Sequence, residues 1–395
     1  MKHFLLATAI VPLLIACDAI VPPAPAVHDV LDGPVDGLTH EEQIRHLAGD
    51  IAFNDDVFTA STGLGPIFVA TSCGTCHASD GKGHPFTTLI RFGQSDASGN
   101  RYLDAGGPQL QNRALPGYKP EQLPAGAPFS RFMPPLSVGL GYLDALTDAQ
   151  LLANADPDDR DGDGISGVPN YVHPPSYFRP RSGSMPVDGR YIGRYGKKAA
   201  AIDLLQQTVT AYNQDIGIAS AYDPLDVYSG HDIDPEVSNQ TIHDVVFYLQ
   251  TLKAPTQRNA DDTRVQAGKR TFGDIGCASC HVPTFTTPST SIAALSDKTI
   301  HPYTDLLLHD MGPELDDGYT EGTALTSEWK TPPLWGLGLA PTSQGGQYFL
   351  LHDGRAHSIE EAILYHGGEG AKSRERYRQL PAHDKEALLK FLESL

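Results

Sequence analysis

Two short runs constrain this chain more than anything else in it: Cys73-Gly74-Thr75-Cys76-His77 and Cys277-Ala278-Ser279-Cys280-His281. Each places two thiols three positions apart, with an imidazole directly after the second. Thiols so spaced can add across the two vinyl groups of one porphyrin while the adjacent histidine reaches the iron, the attachment pattern of a c-type haem. The same four cysteines could instead meet as one all-thiolate zinc site, or close as two disulfides in an oxidising compartment. Neither alternative calls for a histidine after each pair. The spacing therefore favours two covalently bound haem c groups, attached at Cys73, Cys76, Cys277 and Cys280, with His77 and His281 as axial ligands.

The fifth cysteine, Cys17, has a different context. Lys2 precedes an apolar stretch from Phe4 to Ile15, which reads as an export signal and is shorter than the roughly 20 apolar residues that a membrane span requires. Leu14-Ile15-Ala16-Cys17 has the form of a bacterial lipobox. It predicts a lipoprotein signal peptide at 1–16, lipidation of Cys17 and anchorage to a membrane, each buried methylene contributing ~0.8 kcal/mol. An ordinary signal peptide with an incidental cysteine is the alternative. Residues 17–38 include a Pro/Ala-rich stretch from Val21 to Val27, which suits a lipidated tether. The expected location is the periplasmic side of a bacterial envelope. A formal charge of -19, with the acidic residues spread along the chain, argues against nucleic acid and against electrostatic docking on anionic lipid, and points to basic partners.

The 395 residues are enough for two or three domains with cores of their own. Thr39 and Glu42 fit a capping box at the start of a helix. Further helices are expected at Asp148 to Ala153, Ala199 to Asn213 and Ile242 to Leu252, from apolar residues recurring on one face. The polar segment Lys253 to Asp262 contains Pro255 and marks a boundary. The expectation is a mainly α protein of two cytochrome c-like domains with long irregular loops. Residues 39–255 would form an N-terminal haem c domain with an insertion, and residues 256–395 a C-terminal cytochrome c domain. In the latter a helix near Val265 to Phe272 would pack on one from Asp384 to Leu395, with Gly268 allowing close approach.

For the second haem, Ser358 and Glu361 predict a helix that Gly367 can end, with His366 on its apolar face. Periodicity alone leaves open whether His366 is a ligand or a helix-terminal histidine stabilised by the dipole. His352 is a further candidate, although its Asp-Gly turn suggests a structural hydrogen bond. For the first haem, His84, Met133 and His173 are candidate ligands, and Gln109, Gln111 and Glu121 candidate pocket residues. The run from Asp156 to Gly164 has D-x-D-x-D-G spacing, which gathers carboxylates around calcium, with Asp159, Asp161 and Asp163 as ligands. A solvated acidic loop is the alternative, since Asn170 stands where an EF-hand has its bidentate glutamate.

Several longer runs carry a family likeness: Gly63-Leu64-Gly65-Pro66, Gly139-Leu140-Gly141-Tyr142-Leu143, the Asp-Gly-Asp-Gly-Ile-Ser-Gly loop from Asp161, Gly193-Arg194-Tyr195-Gly196, the segment from Tyr303 to Gly312, Trp329-Lys330-Thr331-Pro332-Pro333-Leu334-Trp335, Leu351-His352-Asp353-Gly354-Arg355 and His366-Gly367-Gly368-Glu369. With these, the chain resembles the bacterial di-haem oxidoreductase family, which is related to di-haem cytochrome c peroxidases. In those peroxidases the helix after the His-Asp-Gly turn supplies the distal ligand of the C-terminal haem, commonly methionine. The resemblance implies His366 in that role, with Met311 as competitor, and hence a bis-histidine, low-potential relay haem. It also implies that the His77 haem faces the substrate. Lys197 stands where the family often has tryptophan and Ile216 where it often has methionine, and the glutamine and glutamate that assist peroxide cleavage have no residue-by-residue match. The expected activity is electron transfer, with peroxidase-like chemistry at the N-terminal haem. The electrons would come from a redox partner protein or a quinone-linked donor and go to a small molecule such as peroxide. A non-enzymatic di-haem electron-transfer protein is the alternative.

Overall fold

Side-chain caps decide where most of the helices begin. The computed structural model describes residues 26, 30–93, 95, 96, 99, 100, 102 and 107–395. The expected signal peptide at 1–16, Cys17 and most of the tether lie outside the described residues. Helix α1 (His40–Asp50) opens on the expected capping box, Thr39 and Glu42 each bonding the other's backbone N–H. Ser72 caps α2 (Cys73–Cys76); α3 (Leu140–Ala145) follows Gly139; Thr147 caps α4 (Asp148–Leu152). Asp203 caps α5 (Leu204–Ile216), Ser238 caps α6 (Asn239–Thr251) and Asp262 caps α7 (Thr263–Asp274). After the short α8 (Ala340–Ser343), Ser358 caps α9 (Ile359–Leu364), and α10 (Ala371–Gln379) and α11 (Ala382–Ser394) complete the chain. Each capping oxygen accepts from an N–H that helix geometry leaves without a partner.

Expected boundaries move at α5, α6 and α9, with α5 running on to Ile216 and α6 starting at Asn239. The helix expected from Ala199 begins at Leu204, because Ala199 has a φ of +53°, a left-handed conformation that a helix cannot contain. Helix α9 ends at Leu364, short of Gly367. Its last turn is closed by His366, whose Nδ1 lies 2.8 Å from the Ala362 carbonyl oxygen. The extended structure is limited to short two-stranded antiparallel ladders among the described residues. The longest pairs Leu89–Phe92 with Phe129–Phe132, and another sets His309 opposite Trp329. The protein is therefore mainly α, with long irregular connections.

Gly268 does what its sequence position suggested: a Cβ there would lie 2.0 Å from the Ala387 carbonyl oxygen, so α7 and α11 touch backbone to backbone. Val265, Phe272, Leu388, Phe391 and Leu392 close that contact in an apolar cluster that also takes in Tyr303, Leu350 and Ile359. The largest cluster mixes residues from both sides of Pro255, joining Phe53, Leu143, Leu204, Val245 and Leu252 to Phe285, Leu306, Trp335 and Leu339. Both Cys-x-x-Cys-His runs line one interior space. Among the described residues, no helix is long and apolar enough to cross a membrane.

Candidate functional site

A cavity of about 630 Å³ reaches both motifs, lined by Cys73, Cys76 and His77 and by Cys277, Cys280 and His281. Most of the remaining wall is apolar, from Phe53, Phe132, Leu204, Phe272 and Leu392 among others. Both motifs are held alike at the backbone. His77 N–H donates to Cys73 O at 2.9 Å, and His281 N–H to Cys277 O at 3.0 Å, so each histidine is turned back over its cysteine pair. All four cysteines are free thiols, and burial pushes Cys73, Cys76 and Cys277 up to about 12. They do not converge on a common zinc site. Among the described residues, the single group of three or more His, Cys, Asp or Glu ligand atoms within 4.8 Å of one another is Asp156, Asp159 and Asp161.

The C-terminal half of the cavity has a pair of facing imidazoles. His281 and His366 have ring centres 6.4 Å apart. A metal ion between them, with nitrogen bonds of about 2 Å and about 1.1 Å from each nitrogen to its ring centre, needs about 6 Å. His281 Nδ1 lies 3.0 Å from Tyr303 O and His366 Nδ1 2.8 Å from Ala362 O. A carbonyl can only accept, so both Nδ1 atoms carry the proton and both Nε2 atoms keep a lone pair. Burial pushes His281 down to about 4, helped by the nearby His366, and lowers His366 as well. Neutral imidazoles are the form that binds metal. Met311 also lines the cavity but packs on Phe132, Leu315, Tyr319 and Trp329. His352 is committed elsewhere: it stacks on Trp329 at 3.7 Å, and its Nε2 lies 2.7 Å from Asp317 Oδ2.

Beneath this pair lies a charged chain that the sequence reading missed. His309 is buried between Asp305 Oδ2, 2.8 Å from its Nε2, and Glu369 Oε2, 2.6 Å from its Nδ1, while Cys280 Sγ is 3.5 Å from the same Nδ1. Burial alone would lower this histidine. The bonds to Asp305, Cys280 and Glu369 overcome it and raise the group to about 12, so it is an imidazolium. Glu369 also accepts from Ser166 Oγ at 2.6 Å and from Asp310 N at 3.2 Å. The segment that carries His366 is thus tied to the second cysteine pair and to the acidic loop. An Asp-x-x-x-His spacing inside the apolar run from Tyr303 to Gly312 was the available signal.

The N-terminal half is built differently. His77 Nδ1 lies 3.1 Å from Ser137 Oγ, and the ring packs on Phe53 at 5.8 Å. Burial pushes it down to about 4, with the Lys197 charge acting in the same direction. No second histidine faces it among the described residues that line the cavity. His84 packs on Phe86 and Phe349, and exposed His173 accepts from Arg190 Nε. Met133 is on the wall, its sulfur 3.8 Å from the Gln344 amide nitrogen. Gln109 lines the cavity and donates to Asp215 Oδ1, whereas Gln111 and Glu121, joined by a 2.6 Å bond from Gln111 N, lie off the wall. Arg91 pairs with Glu321 and donates to Gln214 Oε1 at 2.9 Å. Burial raises Asp215 to about 6. Asp215, Arg91 and Glu321 were not foreseen, being scattered across more than 200 positions with no local motif.

In the acidic loop the structure gathers Asp159 and Asp161 with Asp156 in place of Asp163, whose Oδ1 accepts from Ile165 N at 2.8 Å. The change has a simple cause. Asp159 sits at a φ of +46°, and its Oδ1 accepts from Gly164 N at 3.0 Å, which turns the chain so that Asp156 comes beside it.

A family model described as "Di-haem oxidoreductase, putative peroxidase" matches residues 130–395. That span takes in the acidic loop, the second motif, His309 and His366, and begins after the first motif. No curated protein is significantly similar to the chain. Fourteen chains of solved structures match. Among them is the hydrazine synthase of Kuenenia stuttgartiensis, pressurised with xenon, at 13% identity over 100% of both chains, with a TM-score of 0.37. That likeness is too low to define a fold.

Proposed function

This chain belongs to the di-haem oxidoreductase family, and from that premise we propose that it is an envelope enzyme that passes electrons from its C-terminal to its N-terminal haem, where peroxide is reduced. Cys73 and Cys76 would bind one haem covalently and Cys277 and Cys280 the other, with His77, His281 and His366 as axial ligands. The fit rests on buried, neutral imidazoles, two of them with free Nε2 lone pairs, beside paired thiols in a largely apolar cavity. Haem iron supplies one-electron transfer and, where one axial position stays open, a place for a small molecule to react.

The chain's own residues divide the work. Tyr303 O and Ala362 O orient the two C-terminal imidazoles, and the apolar wall keeps water from them. At the N-terminal haem, Asp215 is raised to about 6, so near neutrality it can both take and release a proton at its carboxylate. Gln109 fixes its Oδ1, and Arg91, held by Glu321, sets positive charge on the same wall. Reduction of peroxide to two waters consumes two electrons and two protons, and Asp215 is positioned to handle the protons.

The single observation that carries this reading is the asymmetry of the cavity: facing imidazoles on the His281 side, a polar wall on the His77 side. The reduced protein is expected to bind carbon monoxide at one haem only. Absence of any carbon monoxide complex would favour the non-enzymatic electron carrier instead. The reading extends to two cytochrome c-like domains, 39–255 and 256–395, and to a lipid anchor at Cys17 on the periplasmic side. The formal charge of -19 suits a basic redox protein as donor, and a quinone-linked donor is the other class. One calcium ion on Asp156, Asp159 and Asp161 would brace the loop that Ser166 ties to Glu369. Calcium addition is then expected to raise the melting temperature and chelation to lower it; no change in either removes the ion from the account.

A further inference from the structure

Three lysines face the same cavity, and every carboxylate on its described wall is bonded to another partner. Lys82, Lys197 and Lys330 all line it. Lys330 Nζ donates to Arg194 O at 3.1 Å, while Lys82 and Lys197 have no side-chain hydrogen bond or ion pair among the described residues. The carboxylates on the wall are Asp215, Glu321 and Glu369. Each is committed elsewhere: Asp215 to Gln109, Glu321 to Arg91 and Tyr319, and Glu369 to His309 and Ser166. Asp353 lies near enough to Lys197 to act on its charge, but it is paired with Arg355 at 2.8 Å.

The backbone places these side chains deliberately. Lys82 O accepts from Ser343 Oγ at 2.8 Å, and the neighbouring Gly83 N donates to Pro134 O at 2.9 Å, which pins that residue five positions after His77. Lys197 O accepts from Lys330 N at 3.0 Å, bringing those two together. Lys198, the next residue, diverges: its Nζ donates to Leu325 O, Thr326 O and Glu328 O and sits 4.0 Å over the Trp329 ring. One lysine of the pair is thus fully satisfied by protein and the other is turned into the cavity. Burial lowers all three cavity lysines, Lys197 to about 8, Lys330 to about 7 and Lys82 well down, and Lys197 adds repulsion to both neighbours. Enclosed like charges of this kind are costly unless an anion joins them.

We propose that Lys82, Lys197 and Lys330 form a cationic seat for the carboxylate side chains of the haem attached at Cys73 and Cys76, with Lys197 at its centre. A porphyrin of this class carries two such carboxylates, and an anion seated there offsets the repulsion that Lys197 exerts on Lys82 and on Lys330. This inference rests on the haem reading above.

The test uses full-length protein made in a host competent in haem attachment, with Lys82→Met and Lys197→Met prepared separately and Lys197→Arg as the conservative variant. Intact mass comes first: two haem additions in each variant leave the haem reading standing, because thioether attachment does not depend on the lysines. Resonance Raman of the haem-loaded protein then reports the carboxylate bending bands, and a redox titration reports both midpoints. The proposal expects a shift of the bending bands and a lower midpoint for at least one haem in each methionine variant, since a lost cation favours the oxidised iron, with Lys197→Arg close to wild type. Unchanged bands and midpoints in folded, doubly loaded variants would overturn it, including the case where they lose turnover because the lysines hold an anionic substrate. A wild-type chain with no haem additions would instead sink the haem reading itself.

Discussion

The two ends of the cavity start from the same five-residue pattern and arrive at different sites. At His281 the facing group is His366, just beyond the end of α9, with both imidazoles oriented by backbone carbonyls and the segment beyond clamped by Asp305, His309 and Glu369. At His77 the orienting group is a serine hydroxyl, and the wall carries Gln109, Asp215, Arg91 and three lysines. The difference teaches that the attachment motif fixes only one side of a haem. What the haem does is decided by residues that the motif does not mention.

The largest way to break the comparison is to remove His366. His366→Ala should convert the C-terminal haem from low to high spin and allow it to bind carbon monoxide, making the two sites alike; an unchanged visible spectrum rejects the ligand assignment. Next is the clamp. His309→Ala removes the cation between buried Asp305 and half-buried Glu369 and should cost about 3–5 kcal/mol in urea unfolding, whereas Ser137→Ala, its counterpart at His77, should cost about 1 kcal/mol. Equal losses would erase the proposed contrast in rigidity. His309 is raised in the folded protein from its usual 6.5 to about 12. Its contribution is full below 6.5, declines as pH rises, and is gone above about 12. The gap between wild type and the alanine variant should therefore narrow from neutral to alkaline pH, and a gap that widens contradicts the imidazolium.

On the N-terminal side, Asp215→Asn should lower peroxide turnover about a hundredfold and abolish the fall in rate that the wild type is expected to show below about pH 6. A retained acid limb would assign that proton to another group. A smaller effect than at His309 is expected at Gly268→Ala. A Cβ 2.0 Å from Ala387 O must push α7 from α11, at about 1–3 kcal/mol, and the disturbance should appear in the spectrum of the C-terminal haem alone.

Much of this architecture is legible in the sequence, for reasons that differ by element. Thr39, Thr147 and Ser358 announce helix starts because capping is local, needing only an oxygen and an N–H two or three residues on. Gly268 was readable as a close approach because glycine on an apolar helix face has few other uses. Helix α5 starts later than its pattern suggests because the left-handed turn at Ala199 is held by neighbours distant in sequence: Lys330 N bonds Lys197 O and Asn170 Nδ2 bonds Lys198 O. The same limit governed the site. That His366 lies on an apolar face, near His281, could be anticipated from periodicity and resemblance together, but Asp215, Glu321 and the lysine cluster come to one wall only through the fold. Asp163 was misplaced within its loop because one positive φ at Asp159 rearranged which carboxylates share a side.

The most direct test of the whole account is the intact mass of the mature chain from a host that attaches haem. The account predicts two covalent haem additions, lost one at a time when Cys73 with Cys76, or Cys277 with Cys280, are replaced by alanine. A wild-type chain carrying neither would contradict it.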